Sequence, residues 1–251
     1  MLSKAQISLT TSLQHKKFRK QYGLFIVEGI KSVQEFINSP YKIQTVYATA
    51  DALAKMDNLP QNLKYNTITA DEFSKISSLT SPQGILALVE IPNHGDFDPT
   101  LLRKQHNLVL DDVQDPGNLG TIIRTAEWFG IQNIICSIGT VDAFNPKVVQ
   151  ATMGSLSRVN IYYTDLLPFL QQMQMPTFGA LLDGKSIYET DFQEAGLIIM
   201  GNEGNGISDA LLAHIDQAVT IPRLGAAESL NVAVATTIFC SELARKKLLS
   251  K

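Results

Sequence analysis

The sequence predicts an α/β protein of two domains: a small N-terminal α/β sandwich and a larger domain on a mostly parallel sheet. Three observations support this. Short apolar runs alternate with helical patterns along all 251 residues. The alternation restarts with longer units after a polar stretch, Glu90 to Thr100, which contains two prolines and a glycine. The later strands are almost continuously apolar, as in a parallel sheet covered on both faces. We therefore set the domains at residues 1–95 and 96–251.

The first domain is predicted to contain four short strands separated by helices. A helical arm over residues 1–22 precedes them and ends in a basic cluster. The predicted strands are Leu24–Gly29, Val46–Ala48, Tyr65–Thr69 and Gly84–Val89. The predicted helices between them are Ile30–Ile37, Asp51–Met56 and Asp71–Leu79. Strands and helices alternating over such a short span indicate a small sandwich.

The second domain is predicted to alternate strands with longer helices from residue 107 onward. The predicted strands are Leu108–Leu110, Ile134–Cys136, Val159–Tyr163, Phe178–Leu182, Leu197–Met200 and Ala218–Ile221. The predicted helices are Leu119–Phe129, Pro146–Leu156, Leu166–Met173, Ser208–Ala213 and Ser229–Leu249. Parallel strands need a long crossover between them, usually a helix, and this spacing supplies one.

The stretch from Leu108 to Gly130 joins an apolar strand, an acidic turn and a helix. Asn118 is the predicted N-cap of that helix, and Gly130 is its predicted end. Helical spacing places Arg124 beside the apolar face, near the mouth of the strand–turn–helix unit. Ligands of open α/β sheets bind at such a mouth. Arg124 is therefore a candidate binding residue.

A second loop, Met200–Ser208, contains three glycines and one acidic residue, Glu203. Glycines permit positive φ angles and let a ligand approach backbone N–H groups closely. The loop is not a dinucleotide-binding fingerprint, because Asp209 stands where the last glycine would be. It is not a P-loop either, because no lysine follows Gly206. The pattern favours a ligand site of another kind.

A third loop runs from Ile221 into the last predicted helix. Pro222 ends the strand, small residues follow, and Ser229 is the predicted N-cap of the helix. Asn231 would then lie inside the first turn, where asparagine is a mediocre helix former. This placement indicates a functional reason for Asn231.

Three motifs in order now carry a family resemblance. They are N-x-x-x-x-x-R at Asn118–Arg124, N-E-G-x-G at Asn202–Gly206 and S-L-N-V-A-x-A at Ser229–Ala235. Together they resemble the motifs of the SpoU (TrmH-type) RNA ribose 2′-O-methyltransferases of the SPOUT superfamily. The first domain resembles that family's N-terminal substrate-binding domain, most clearly at Phe25–Gly29 and Gln83–Ile85. The resemblance covers nearly the whole chain.

The resemblance implies a catalytic role for five residues. Arg124 would be the catalytic arginine, and Asn118 would shape the loop that leads to it. Glu203 would help to hold the active site, and Ser229 and Asn231 would form the polar pair of the third motif. Arginine is a poor proton acceptor, so Arg124 could instead bind phosphate and stabilise a developing alkoxide. The family's arginine is commonly described as the base, and both roles stay open.

The resemblance also implies a cofactor, a knot and an assembly. S-adenosylmethionine would contact the backbone at Gly201, Ile221 and Leu230. The C-terminal region would be threaded into a trefoil knot, an exception among protein folds. The family works as homodimers, with active sites near the subunit interface.

Charge is distributed unevenly along the chain. The formal net charge is −3, but residues 1–92 carry ten basic and seven acidic residues, which leaves −6 for the remainder. Phosphate contacts with RNA would therefore fall on the first domain. The RNA-binding candidates are Lys16, Lys17, Arg19 and Lys20.

Several other classes of protein fit this sequence poorly. No apolar run approaches the roughly 20 residues of a membrane span, and no signal-peptide core is present. Cys136 and Cys240 lack metal-type spacing, and the four histidines are scattered. We therefore expect two buried thiols in a cytoplasmic protein without a metal or a membrane partner.

The sequence thus predicts an S-adenosylmethionine-dependent RNA 2′-O-ribose methyltransferase, with ribosomal RNA favoured over transfer RNA. DNA lacks the 2′-hydroxyl and is excluded as a substrate. The alternatives are a tRNA 2′-O-methyltransferase and a non-catalytic RNA-binding protein of the same fold. The latter would be expected to lose Arg124 or the polar pair of the third motif. A nucleotide-dependent metabolic enzyme would need a phosphate fingerprint that the sequence lacks.

Overall fold

The computed structural model describes residues 1–57, 59–92 and 98–249, which form two compact units. The α/β class predicted from the sequence is confirmed, with a mixed sheet in the first unit and a parallel sheet in the second. Part of the predicted linker, residues 93–97, lies outside the described residues. The boundary at residue 95 therefore stays a prediction.

The helical arm predicted over residues 1–22 is two helices, α1 (Lys4–Ser12) and α2 (Lys16–Tyr22). The helical segment is interrupted at Leu13, which is fully buried. The carbonyl oxygens of Leu13 and Gln14 each accept a 2.9 Å hydrogen bond from Arg19 Nη1. These carbonyls therefore satisfy their hydrogen bonds with a side chain, and a single continuous helix is not formed.

The first sheet has four strands and three further helices. In chain order these elements are β1 (Leu24–Glu28), α3 (Ile30–Ile37), β2 (Ile43–Ala48), α4 (Ala50–Leu53), β3 (Tyr65–Thr67), α5 (Ala70–Ser74) and β4 (Ile85–Glu90). The strand order is β1–β4–β2–β3. Strand β4 runs antiparallel to β1 and β2, while β2 and β3 are parallel. Every residue of β1 is buried, so this strand lies in the core of the unit.

Besides one turn of 3₁₀ helix, Ser155–Ser157, the remaining described chain contributes six strands and six α-helices. In chain order they are α6 (Pro99–Leu102), β5 (His106–Leu110), α7 (Pro116–Trp128), β6 (Asn133–Ser137), α8 (Pro146–Thr152), β7 (Asn160–Thr164), α9 (Leu166–Met173), β8 (Thr177–Ser186), β9 (Gly196–Met200), α10 (Asp209–Leu212), β10 (Gln217–Thr220) and α11 (Val232–Leu249). The sheet order is β10–β8–β9–β5–β6–β7, and every neighbouring pair is parallel. Helix α6 is the element that the sequence pattern did not predict.

The parallel sheet is buried on both faces, as the continuous apolar strands predicted. Val109 and Ile199 belong to a core cluster with Phe169 of α9 and Leu211 of α10. Strand alternation points Leu108 to the opposite face, and that side chain is fully buried as well. Helix α7 packs against α11 in the same unit.

The sheet contains a topological switch between β5 and β9. These strands are neighbours, yet the chain leaves β5 toward β6 and leaves β9 toward β10, in opposite directions across the sheet. Ligands of such sheets bind in the crevice outside the carboxyl ends of the strands at this point. The loops after β5 and β9 therefore occupy the expected place for a site.

Residues Asp142–Ser157 group with the first unit, although their chain neighbours belong to the second. Helix α8, in this segment, packs against β1. The Asp142 carboxylate pairs with the buried Arg19 guanidinium at 2.7 Å. The Phe144 ring lies 4.7 Å from that of Phe25, centroid to centroid. The core of the first unit is thus completed by a segment from far along the chain.

Three further expectations concern the whole chain. Cys136 and Cys240 are buried free thiols, and burial raises the pKa of both; that of Cys240 reaches about 12. Within the described chain, no helix is both long and apolar enough to cross a membrane. The trefoil knot implied by the family resemblance stays a prediction.

Candidate active site

The first loop of the candidate site follows β5 and leads into α7. Asp115, not Asn118, is the N-cap of α7, because Asp115 Oδ1 accepts the Asn118 N–H at 2.8 Å. Pro116 occupies the first helical position, where its missing N–H costs nothing. Asn118 is therefore the third residue of the helix, and its side-chain amide is available for other partners. The Asp-Pro pair was a sequence signal for this cap that the prediction missed.

The second loop, after β9, folds back tightly on itself. Asn202 and Gly206 form an isolated antiparallel bridge, with N–O distances of 2.9 and 3.0 Å. A Cβ on Gly201 would lie 2.2 Å from the Gly206 carbonyl carbon, so only glycine fits at this position. Asn202 also donates to the Asp112 carbonyl oxygen at 2.7 Å, which joins this loop to the first. The sequence reasoning gave Asn202 no such bracing role.

The Glu203 carboxylate lies where these two loops meet. Its Oε1 accepts the Asn118 Nδ2 at 2.9 Å and the Asp115 N–H at 3.3 Å, and its Oε2 accepts the Gln114 N–H at 3.4 Å. Partial burial would raise the pKa of Glu203. The hydrogen bonds from the Asn118 side chain and from the backbone outweigh burial and hold this pKa below its ordinary value. Glu203 is thus an ionised acceptor that holds the start of α7.

The third loop ends at Asn231, which is the N-cap of α11. Its Oδ1 accepts the Ala233 N–H at 2.9 Å and the Val234 N–H at 3.3 Å, and α11 begins at Val232. The predictions that Ser229 caps this helix and that Asn231 lies inside it are therefore wrong. Ser229 is exposed and makes no hydrogen bond within the described residues.

A continuous chain of hydrogen bonds connects the three motifs. Asn231 Nδ2 donates to Asn118 Oδ1 at 2.9 Å, and Asn118 Nδ2 donates to Glu203 Oε1 at 2.9 Å. An ionised carboxylate can only accept, so the Asn118 amide must turn its nitrogen toward Glu203. Its oxygen then faces Asn231, whose own oxygen is used by the helix cap. The side-chain amides of Asn118 and Asn231 therefore each have one allowed orientation.

The third loop, which follows β10, must cross the sheet to reach the start of α7. Strand β10 is three positions from β5 in the sheet, which corresponds to about 14 Å at the usual strand spacing. Asn231 nevertheless reaches Asn118 at the start of α7. The side-chain contact between Thr125 and Thr237, 3.2 Å between Oγ1 atoms, continues the packing of α7 on α11. The structure thus brings together residues more than one hundred positions apart.

Arg124 lies on the exposed side of α7, on the stripe that also holds Thr121 and Trp128. Its guanidinium makes no hydrogen bond or ion pair within the described residues. The structure therefore connects Asn118, Glu203 and Asn231 with one another but leaves Arg124 and Ser229 outside that network. An exposed guanidinium can form bidentate contacts with an anion such as phosphate.

The three predicted cofactor contacts lie at the carboxyl edge of the same sheet. Gly201 and Ile221 are half-buried just after β9 and β10, and Leu230 is exposed. In the described structure, no main-chain N–H from Arg223 to Leu230 donates a hydrogen bond. Free backbone groups beside the exposed side chains of Leu224 and Leu230 suit a purine, which has polar edges and apolar faces. Such a surface fits the adenosyl part of S-adenosylmethionine, and the contacts at Gly201, Ile221 and Leu230 stay predictions.

A separate cavity of about 320 Å³ lies beyond β5, β6 and β7. It is lined by Asp111, Ser137, Asp165 and Ser208, among others, and by none of the three predicted cofactor contacts. Asp111 Oδ2 accepts the Ser208 N–H at 2.8 Å, so this carboxylate fixes the end of the second loop. Among the described residues, no cluster of His, Cys, Asp or Glu is suited to a metal.

The four RNA-binding candidates of α2 are not equivalent. Lys16, Lys17 and Lys20 are exposed. Arg19 is only 2% exposed, and its guanidinium is bound to Asp142 and to two backbone carbonyls. Unlike those of the exposed lysines, the donors of Arg19 are thus committed inside the protein, and its contact with RNA stays a prediction.

The chain matches two known family models. The SpoU rRNA Methylase family model matches residues 105–241, and the MRM3-like substrate binding domain model matches residues 4–87. A 23S rRNA (guanosine(2553)-2′-O)-methyltransferase, RlmP of Bacillus subtilis, is 33% identical over 235 residues, which cover 92% of each chain.

Two solved structures show the same fold over 98% of the chain. One is a proposed RNA methyltransferase of the TrmH family from Porphyromonas gingivalis, 38% identical, with a TM-score of 0.89 and 99% of its own chain covered. The other is an AdoMet-bound rRNA methyltransferase from Sinorhizobium meliloti, 29% identical, with a TM-score of 0.86 and 96% covered.

Proposed function

The chain belongs to the SpoU rRNA Methylase family, and from this premise we propose that it methylates a ribose 2′-hydroxyl in ribosomal RNA. The methyl donor is S-adenosylmethionine. The observation that carries the proposal is the hydrogen-bonded chain Asn231–Asn118–Glu203, which joins the three motif loops at the topological switch. Relatives named as rRNA methyltransferases match over more than nine-tenths of the chain, which favours rRNA over tRNA.

The cofactor would be held by the backbone at Gly201, Ile221 and Leu230. When bound, S-adenosylmethionine supplies an electrophilic methyl group. The 2′-oxygen of the ribose would accept that methyl group and lose its proton to solvent water, so the side chains of the protein must orient the ribose and stabilise the charge that develops on this oxygen. Positioning of this kind contributes several kcal/mol in enzymes. The hydrogen-bonded residues Asn231, Asn118 and Glu203 provide this positioning, because the side-chain amides of the two asparagines have only one orientation.

Arg124 is the residue that we propose acts on the RNA. Its guanidinium is exposed and unpaired within the described residues, so it can bind the phosphate next to the target ribose and stabilise the developing alkoxide. Ser229, also exposed and unbonded there, is available to the ribose or to Arg124. Electrostatic stabilisation fits a guanidinium better than proton abstraction does.

The test is methylation of ribosomal RNA by the Arg124→Ala variant, measured as transfer of labelled methyl groups. Losing the stabilising cation should lower the rate by at least about 100-fold, while calorimetry should show nearly unchanged binding of S-adenosylmethionine. Arg124→Lys keeps the positive charge but loses the planar guanidinium that binds an anion through two donors, so it should restore little activity. Arg158→Ala, which removes another arginine of the same unit, is the control. Full activity of Arg124→Ala would refute the assignment.

Mapping of 2′-O-methyl groups tests the proposed reaction itself. Total RNA from cells with and without the gene should differ at one or a few ribosomal positions. If the two maps are identical, the proposed function fails. A difference confined to tRNA would instead support the tRNA alternative.

We also propose separate roles for the two domains and a homodimeric protein. Residues 1–95 would bind RNA and residues 96–251 would carry the reaction, in keeping with the two family matches.

A homodimer is supported by Trp128 of α7 and Val234 of α11, apolar side chains that are 81% and 48% exposed. Sedimentation should give twice the monomer mass. We also propose a cytoplasmic location, which is in keeping with the proposed substrate and with the two free thiols.

A further inference from the structure

Helix α2 presents two kinds of exposed side chain side by side. Lys16, Lys17 and Lys20 lie on one part of its surface, and Phe18 and Tyr22 lie one turn apart on another. The buried residue of the helix is Arg19, which anchors it through the Asp142 carboxylate. The helix is thus anchored by a buried ion pair.

The two aromatic rings are stacked, and Tyr22 is the more accessible of the two. The rings of Phe18 and Tyr22 have centroids 6.3 Å apart and planes within 18° of each other. Tyr22 is 46% exposed, and Phe18 is half-buried beneath it. His15 meets the Phe18 ring edge-on, and Lys17 Nζ lies 5.9 Å from the Phe18 centroid. Tyr22 is therefore the ring of this pair that is most accessible to a base, and the positive charge of Lys17 lies over the neighbouring Phe18 ring.

This combination matches the chemistry of unpaired RNA. Proteins bind single strands with aromatic rings on which bases stack and with lysines that follow the phosphates. Bases within a duplex already stack on their neighbours, so a platform of this kind selects strands that are locally unpaired. The first domain is the part of the chain with a net positive charge. Charge complementarity therefore favours a polyanion as the occupant.

We propose that Phe18 and Tyr22 form a stacking platform for one unpaired base of the RNA substrate, with Lys16, Lys17 and Lys20 binding adjacent phosphates. This inference rests on the proposed function, because it names how that RNA is bound. Ring stacking tolerates every base, so the platform recognises local single-strandedness and not a sequence. It gives the first domain a role beyond general attraction of negative charge.

The experiment compares two probes bound to the full chain: a short single-stranded oligoribonucleotide and an abasic ribose-phosphate oligomer of equal length. Tyr22→Leu removes the π-face but keeps an apolar side chain. It should weaken binding of the base-bearing probe by roughly 5- to 20-fold and leave the abasic probe unaffected. Tyr22→Phe should retain wild-type affinity. Tyr65→Leu, which changes another half-exposed tyrosine of the same unit, is the matched control.

Salt dependence separates the lysines from the aromatic rings. Lys17→Ala should lower the slope of log affinity against log salt by about 0.7 for both probes, because one phosphate contact is lost. Tyr22→Leu should leave that slope unchanged. Thermal unfolding of each variant shows whether α2 is intact. If Tyr22→Leu is destabilised, Tyr22→Met, which also keeps apolar bulk without a π-face, takes its place in the comparison of the two probes.

Two results would overturn the inference. Equal losses of affinity for both probes in Tyr22→Leu would mean that the pair only stabilises α2. Unchanged binding of the base-bearing probe, or an equal loss in Tyr65→Leu, would mean that no base stacks there. Methylation of ribosomal RNA by the wild-type chain is measured in parallel. If methylation persists while the platform fails, the inference is wrong and the proposed function stands.

Discussion

Asn231 uses both ends of its side-chain amide, and each end has a different task. The oxygen caps α11 by accepting the Ala233 N–H, and the nitrogen donates to Asn118. Aspartate can perform the first task but not the second, since a carboxylate has no hydrogen to donate. One substitution can therefore separate the stability of the helix from the geometry of the site.

We expect Asn231→Asp to keep stability within about 0.5 kcal/mol of the wild type, because the cap is preserved. The lost hydrogen bond to Asn118 should lower kcat by roughly 3- to 10-fold. Asn231→Ala should instead cost about 1 kcal/mol in urea unfolding, with a comparable loss of activity. Wild-type kcat in Asn231→Asp would show that the link to Asn118 has no catalytic consequence.

Glu203 gives the site a dependence on pH. Its folded-state pKa is lowered, with hydrogen bonds outweighing burial, so the ionised form is favoured in the folded protein. Its contribution is therefore complete at neutral pH and is lost as the pH falls through the lowered pKa. We expect Glu203→Gln to reduce the free energy of unfolding at pH 7 by on the order of 1 kcal/mol or less.

Urea unfolding over a pH series measures this effect. The difference between wild type and Glu203→Gln should shrink steadily in acid. Glu189→Gln, at another glutamate of the second unit, is the control variant. A constant difference down to the acid limit of folding would contradict the ionised role of Glu203.

Sequence reasoning at this scale succeeded for motifs and failed for caps. Asn118, Glu203 and Asn231, which the family resemblance implied belong to one active site, do meet in space. Ser229 and Asn231 are both good cap residues, two positions apart, and local preference could not choose between them. The Asn118 amide decides, because it binds Asn231 from a position 113 residues away in sequence. The roles of Arg124 and Ser229 depend on RNA, and both stay predictions.

Among the elements, α2 shows how one helix can divide its basic residues between stability and binding. Arg19 is buried on Asp142, whereas the three lysines are exposed. Removing one partner of a buried ion pair leaves the other charge uncompensated. We expect Arg19→Met to lower the free energy of unfolding by about 3 kcal/mol and to leave the salt dependence of RNA binding unchanged.

The control for this variant is Lys42→Met, which breaks the exposed pair between Lys42 and Glu90 in the same unit. That change should cost less than about 1 kcal/mol. Chemical denaturation followed by circular dichroism measures both. An Arg19→Met protein as stable as wild type, with a reduced salt slope, would return Arg19 to the RNA-binding surface.

Element boundaries followed from the sequence where side chains within the element set them. Helix α9 has the predicted bounds, Leu166–Met173, since Asp165 is a local N-cap. The split of the N-terminal arm into α1 and α2 had no such local signal. It depends on Arg19 binding the carbonyls of Leu13 and Gln14, and that guanidinium is fixed by Asp142, 123 residues away. Tertiary contacts override helical periodicity here.

At the scale of the whole molecule, the interleaved chain has a consequence for dissection. A fragment of residues 1–92 lacks Asp142 and Phe144, which pack on Arg19 and Phe25 in the first unit. We expect this fragment to unfold at much lower urea concentration than the same unit in the full chain, or without a cooperative transition. Joining residues 142–157 to it through a flexible linker should restore cooperativity.

Circular dichroism and amide hydrogen exchange would follow this comparison. Equal midpoints for the fragment with and without residues 142–157 would contradict the prediction. The sequence could not reveal this arrangement, because Pro146–Leu156 has an ordinary helical pattern and fits the alternation of the second domain. Its apolar side chains specify burial, but they do not specify which core receives them.

The same segment determines when the first unit can finish folding during synthesis. Residues of the first unit leave the ribosome first, yet their last packing partners, Asp142–Ser157, are made only after β5, α7 and β6. At about 5–20 residues per second, this delay lasts several seconds. During that interval Arg19 has no carboxylate partner at Asp142, and the surface of β1 that α8 covers stays open. Slow translation between residues 92 and 142 should therefore lengthen the period in which the emerging chain is sensitive to proteases.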